Sequence, residues 1–191
     1  MNKSPNSKLK YNNSDVTVIA LYQLGGALRY IHLEDVALKA AELSPKTFSW
    51  KKYPEQVNLE TVRLALKNEL GAKNSRVLGS IRDGWMLTPN GLSWCFANAS
   101  SGISQSTTDQ MHKEITRAKK TEAFSKVLAN KGEQISDNDL KALLRIDEYF
   151  SPRNRRERVV ALANSAVIDP QLMPLLTVLK QRGFIELEVG Q

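Results

Sequence analysis

The chain has 191 residues, 25% of them charged and 41% hydrophobic, with a formal net charge of +7. That composition supplies a globular core without metals or disulfide staples. The single cysteine, Cys95, excludes an intramolecular disulfide and a thiol-rich metal site and fits a reducing compartment. With no run of about 18 apolar residues and no apolar leader core at the N-terminus, the expected setting is cytoplasmic. Residues 1–100 carry 13 Lys/Arg against 8 Asp/Glu, a net of +5, and residues 101–191 carry 14 against 12, a net of +2. The excess in the first half favours a polyanionic partner.

Residues 1–14, rich in Asn, Ser and Lys and containing Pro5, are expected to be a disordered basic tail. A short apolar helix follows over 16–24, capped by Ser14 or Asp15 and stopped by Gly25-Gly26. Residues 29–32 read as a short extended segment. The spacing of Leu33, Val36, Ala37, Ala40 and Ala41 predicts a helix over 33–43, which Pro45 ends. A connection over 44–57 interleaves Phe48, Trp50 and Tyr53 with Lys46, Lys51 and Lys52. Here the aromatics are read as anchors to the core and the lysines as solvated.

Asn58 then caps a third helix over 59–70, stopped at Gly71. Its apolar face is expected to be Leu59, Val62, Leu66 and Leu70, and its outward set Glu60, Thr61, Arg63, Leu64, Lys67 and Asn68. Strands are predicted over 77–80 and 85–87 around the turn Arg82-Asp83-Gly84. Thr88 as cap and Pro89 at the first helical position open a helix to about residue 98. Small polar residues around Gly102 mark a linker over 100–106. Beyond it the pattern is all helix, over about 107–130, 136–150, 152–166 and 170–182, with a short strand over 184–189.

Three helices, a hairpin and a further helix are the element order of a winged helix. The stretch Asp83-Gly-Trp-Met-Leu-Thr-Pro-Asn-Gly91 resembles the segment that closes the wing in prokaryotic winged helix-turn-helix proteins, where an aromatic–x–Leu–Thr–x–x–Gly pattern leads from the last strand into a helix. The resemblance spans about residues 15–99. It extends to uncharacterised prokaryotic proteins from phage-defence neighbourhoods. It implies a mainly α fold with a small β-hairpin: a winged helix-turn-helix domain over 15–99 and an all-helical C-terminal domain over 107–191. One departure is the 44–57 insertion, which stands where relatives have a tight turn.

The resemblance implies binding of double-stranded DNA, as a transcription regulator or as the DNA-binding component of a defence system. The third helix would enter the major groove, where Arg pairs with guanine and Asn with adenine. Arg63, Lys67 and Asn68 are the leading candidates, with Thr61 beside them. Lys73, Arg76 and Arg82 surround the wing, and Lys51 and Lys52 of the insertion are candidates for phosphate. The run Arg153-Asn-Arg-Arg-Glu-Arg158 places Arg153 and Arg156 on one side of a helix and Arg155 and Arg158 on another. It reads foremost as a solvated face. The C-terminal helices are expected to make a homodimer or dock a protein partner. The alternative reading is a non-catalytic protein-interaction adaptor on a winged-helix scaffold.

Enzyme chemistry finds little support. His32 and His112 lie far apart with no ligand spacing around them, Gly25-Gly26 lacks a following Lys-Ser/Thr, and Cys95 sits between Trp94 and Phe96 as a small hydrophobe. No cofactor or metal is expected.

Overall fold

The computed structural model describes residues 11–98 and 105–185. It is mostly helical, with one two-stranded antiparallel hairpin. Of the expected tail over 1–14, residues 1–10 lie outside the described residues, as do most of the linker and all but the start of the predicted strand over 184–189; Asn13 and Ser14, expected in the tail, belong instead to the first helix, because Asn12 caps it. Among the described residues no helix is long and apolar enough to cross a membrane.

Helix α1 (Asn13–Gln23) begins earlier than the sequence suggests. Asn12 is the cap: its side chain accepts from the Asp15 amide at 2.9 Å, and Asp15 accepts from the Asn12 amide at 3.0 Å. That reciprocal box satisfies two amide donors at once, which neither Ser14 nor Asp15 could do as cap. Tyr11 is also placed, edge-on to the Trp94 ring at 6.3 Å. Helix α2 (Leu33–Leu43) buries Leu33, Val36, Ala37 and Ala40 as its spacing requires.

Pro45 ends α2 and opens a single-turn helix α3 (Pro45–Phe48). The 44–57 insertion then folds back on itself. Trp50 N donates to Gln56 O at 2.9 Å, Asn58 N donates to Phe48 O at 2.7 Å, and Ser49 bridges Val57. Of its three aromatic rings Phe48 is wholly buried in the core, where Val57 also packs, whereas Trp50 and Tyr53 are 52% and 44% exposed. The expected anchoring role of those two rings is therefore corrected.

Helix α4 (Leu59–Leu70) has the predicted bounds, with Asn58 accepting from the Thr61 amide at 3.2 Å. Val62 and Leu66 of the expected face are buried, joined by Ala65 and Glu69, whereas Leu59 and Leu70, expected on the same face, are exposed. Glu69 takes an inward position because Arg76 meets it there.

Strands β1 (Val77–Ser80) and β2 (Gly84–Leu87) pair Val77 with Leu87 and Ser80 with Gly84, leaving Ile81, Arg82 and Asp83 as the turn. Ile31 adds a bridge to Trp85, with N–H···O distances of 2.9 and 2.8 Å. Trp85 and Leu87 face the main core, while Met86 packs on the other side with Tyr30 and Ala161. The alternation expected of the strand is observed. Thr88 Oγ1 accepts from Gly91 N at 3.1 Å to open helix α5 (Pro89–Asn98). A Cβ on Gly91 would stand 2.0 Å from the Arg76 carbonyl oxygen, so this helix start rests directly on the backbone that leads into β1.

In the second half the helix expected over 107–130 is broken. Helix α6 (Gln105–Lys119) ends where Thr121, accepting from Phe124 N, caps helix α7 (Glu122–Leu128). Helix α8 (Asp137–Leu144) stops well short of Phe150, because Arg145 turns left-handed at φ 53° and closes the end. Helix α9 (Pro152–Ile168) and helix α10 (Met173–Gln181) complete the chain described. One apolar cluster gathers α1, α2, α4, the hairpin and α5, and a second gathers α7 to α10. Helix α6 gives Met111 to the first and Ile115 and Ala118 to the second. Phe184 and Ile185 carry no strand.

Candidate nucleic-acid interface

Helix α4 packs on α1, α2, α3 and β1, so only the side away from Val62 and Leu66 meets solvent. On that side Lys67 and Asn68 are exposed, and Thr61 is half-buried with its backbone amide held by Asn58. Arg63 is half-buried and lies along the helix, its Nε and Nη2 donating to both carboxylate oxygens of Glu60 at 2.6 and 2.5 Å. These bonds hold the Glu60 carboxyl below its ordinary range and raise the guanidinium. A solvent-screened pair of this kind contributes little to stability, so Arg63 can exchange Glu60 for a stronger anion. Leu64, 44% exposed, stands amid this polar set.

The other candidates divide. Lys73 is exposed in the turn after α4, and Arg82 is exposed at the hairpin tip. The tip is internally tied: Ser80 Oγ donates to Asp83 Oδ2 at 2.9 Å and accepts from Asp83 N at 3.0 Å. Lys51 and Lys52 are exposed on the folded insertion, with the Lys52 ammonium 5.5 Å from the Tyr53 ring centre.

Arg76 is different. Its Nε and Nη2 donate to Glu69 at 2.8 and 2.6 Å, its Nη1 donates to Asp15 at 2.8 Å, and its guanidinium lies over Trp94 at 4.4 Å. The three side chains are 14%, 8% and 15% exposed. Arg76 therefore joins α1, α4 and α5 beneath the surface and is corrected from an interface candidate to a structural ion-pair centre. Its hydrogen bonds, acting against burial, hold the Glu69 carboxyl below the ordinary value.

Sequence reasoning also missed how the Arg153 region is used. Arg153 Nε and Nη2 donate to the Asp83 carbonyl at 3.0 and 2.6 Å, and its guanidinium stacks over Tyr30 at 4.9 Å. Glu157 accepts from Tyr30 N at 3.3 Å, and buried Asn164 Nδ2 donates to Ala27 O and Leu87 O at 2.7 and 2.9 Å. The helical spacing of Arg153 and Glu157 was visible; their partners, some 70 and 127 residues away in sequence, were not. Cys95 is wholly buried, and that burial pushes its thiol up to about 12 against the opposing charge of Arg76. It has no nucleophilic character at neutral pH.

Comparison of the chain with protein-family models, curated proteins and solved structures returns no match.

Proposed function

We propose that residues 15–99 act as a winged helix-turn-helix module that binds double-stranded DNA. In this reading α4 enters the major groove and the hairpin tip reaches the adjoining phosphates. One observation carries it: α4 is fixed on α1 and α2 by Val62, Ala65 and Leu66, presents Lys67 and Asn68 outward, and leads through Lys73 into a hairpin tipped by exposed Arg82. Asn68 supplies an adenine-reading amide, Arg63 a guanine-reading fork once it leaves Glu60, and Thr61 a hydroxyl. Lys51, Lys52, Lys73 and Arg82 supply charge for phosphates and most of the affinity. The protein is read as a cytoplasmic transcription regulator or a defence component, paired as a homodimer through its C-terminal helices.

Mobility shift with random duplexes at roughly 50 mM salt tests this, since counterion release favours binding there. Wild type should bind. The Lys67→Glu/Arg82→Glu variant should lose at least about tenfold in affinity and about 1.8 from the slope of log K against log salt, at about 0.9 per phosphate contact. No binding of any duplex at that salt refutes the reading.

A second reading, a protein-docking adaptor, draws on the apolar side chains exposed on α4 and the insertion: Leu59, Leu64, Leu70, Trp50 and Tyr53. Leu64→Ser separates the two. It should leave the salt slope of duplex binding unchanged, whereas an adaptor would lose its protein partner in a nucleic-acid-free pull-down.

A further inference from the structure

A cluster of opposite character lies away from α4, where α6, the end of α8 and α9 converge. Glu114 of α6, its side chain 15% exposed, accepts from Arg117 at 2.6 and 3.1 Å and from Arg145 at 2.9 Å. Arg117 Nη2 also donates to the Leu143 carbonyl at 2.8 Å, which fixes its fork. Among the described residues half-buried Arg158 of α9 makes no hydrogen bond or ion pair, yet its charge acts on both Glu114 and Arg145. Two guanidinium groups therefore hold one carboxylate and the charge of a third acts on it, a surplus of two positive charges.

Burial lowers the Arg145 guanidinium below its ordinary value; the charge of Glu114 opposes this, and Arg117 and Arg158 both reinforce it. At Glu114 burial favours the protonated form, but the hydrogen bonds of Arg117 and the charges of all three arginines outweigh it. Arg145 moreover occupies a left-handed backbone position, φ 53° and ψ 48°, where Gly or Asn is the low-cost residue at a helix end. Like charges gathered in a partly desolvated place at a strained backbone position are what a bound oxyanion would relieve. Planar guanidinium forks match phosphate oxygens pairwise.

We propose that Arg117, Arg145 and Arg158, with Glu114 orienting the first two, form an oxyanion site that takes a phosphate group. The phosphate can be a free anion or one of a duplex backbone. Glu114 holds two of the forks in place, and Arg158 supplies the donors not yet engaged. The free-anion case stands without the DNA-binding reading, while the backbone case rests on it.

The test compares melting of wild type and Arg158→Gln in sodium phosphate and in sodium chloride at equal ionic strength. Phosphate stabilises many proteins by exclusion from their surfaces, so the difference between the two proteins is the readout. Equal melting of both in chloride shows that the variant folds. A phosphate-specific rise present in wild type and lost in Arg158→Gln, with affinity reduced about tenfold or more, supports a free anion. A salt slope of duplex binding lower by about 0.9 in the variant, without that rise, supports the backbone phosphate. Equal responses of the two proteins to phosphate, together with no change in duplex slope or no duplex binding at all, overturn the site. Failure of duplex binding with a phosphate rise present in wild type and lost in Arg158→Gln would remove the DNA-binding reading alone.

Discussion

Arg76→Met discriminates between a DNA contact and the buried role the structure assigns to this residue. Methionine keeps an unbranched apolar stem to pack against Trp94 and removes the charge. Glu69 and Asp15 are then left facing each other without a cation, in surroundings where their side chains are 8% and 15% exposed. Removing one partner of a buried ion pair costs about 3–5 kcal/mol, most of it the penalty of the charge left behind. For a chain of this size each kcal/mol moves the melting temperature by about 2–4 °C, so Tm should fall by about 6–20 °C. Arg76→Met/Glu69→Met should recover much of that loss, because it removes the unpaired carboxylate with its partner.

The pH dependence has a definite sign. In wild type the Glu69 carboxyl is held below its unfolded value by Arg76, so the pair's contribution is fully present above that value and is lost as pH falls through the folded pKa. In Arg76→Met that support is gone and burial favours the protonated acid. The deficit should be largest near neutral pH and narrow below about pH 5, as protonation discharges the buried carboxylate. Calorimetry across pH reads the melting temperature, and mobility shift well below it reads duplex affinity. An unchanged Tm with duplex affinity lowered tenfold would refute the buried assignment and return Arg76 to the interface.

Two further outcomes follow from the same core. Gly91→Ala should lower the urea midpoint by the equivalent of about 2 kcal/mol, because its Cβ would meet the Arg76 carbonyl at 2.0 Å and α5 must shift; an unchanged midpoint would show that α5 does not rest on the Arg76 backbone. With its thiol pushed up to about 12, Cys95 should expose roughly one thiolate in ten thousand at pH 8 and should react with a thiol reagent only as the protein opens. Labelling of the native protein at the rate of a free thiol would contradict that burial.

Where the sequence was legible, the signals were local. Asn58 before 59–70, Thr88-Pro89 before α5 and the hydrophobic spacing of 33–43 each act within one or two turns, and those elements stand where the pattern put them. Where it was not, the deciding partner was remote or the competing signal short. The apolar face of α4 was legible at Val62 and Leu66 but not at Glu69, which turns inward to Arg76, which in turn needs Asp15, 61 residues away. Thr121 is a sound cap within a charged helical run, and periodicity overrode it. Trp50 and Tyr53 share one short loop with Phe48, and composition cannot say which of three rings reaches the core. Among the interface candidates, exposure of Lys67, Asn68 and Arg82 followed from spacing and turn position, whereas the enclosure of Arg76 did not.

Helix α9 determines how much of the hairpin is left to act. It meets the N-terminal elements at three polar points spread over Arg153, Glu157 and Asn164, and it buries Met86 against Ala161. A two-stranded ribbon is marginal by itself, so this cover stabilises the hairpin and fixes its direction. The same cover removes one hairpin face from any ligand, leaving the tip at Arg82. Helix α4 keeps its solvent face because α9 packs against α5, α6 and the hairpin's Met86 face instead. On the duplex-binding reading, specificity must then come from α4, and the hairpin acts as a rigid phosphate stop rather than a mobile minor-groove probe. The second half, tied to the hairpin through α9, would take a fixed orientation on the duplex. A second copy bound through it would set one spacing between half-sites, which selection of bound duplexes from a random pool would reveal as a single preferred separation.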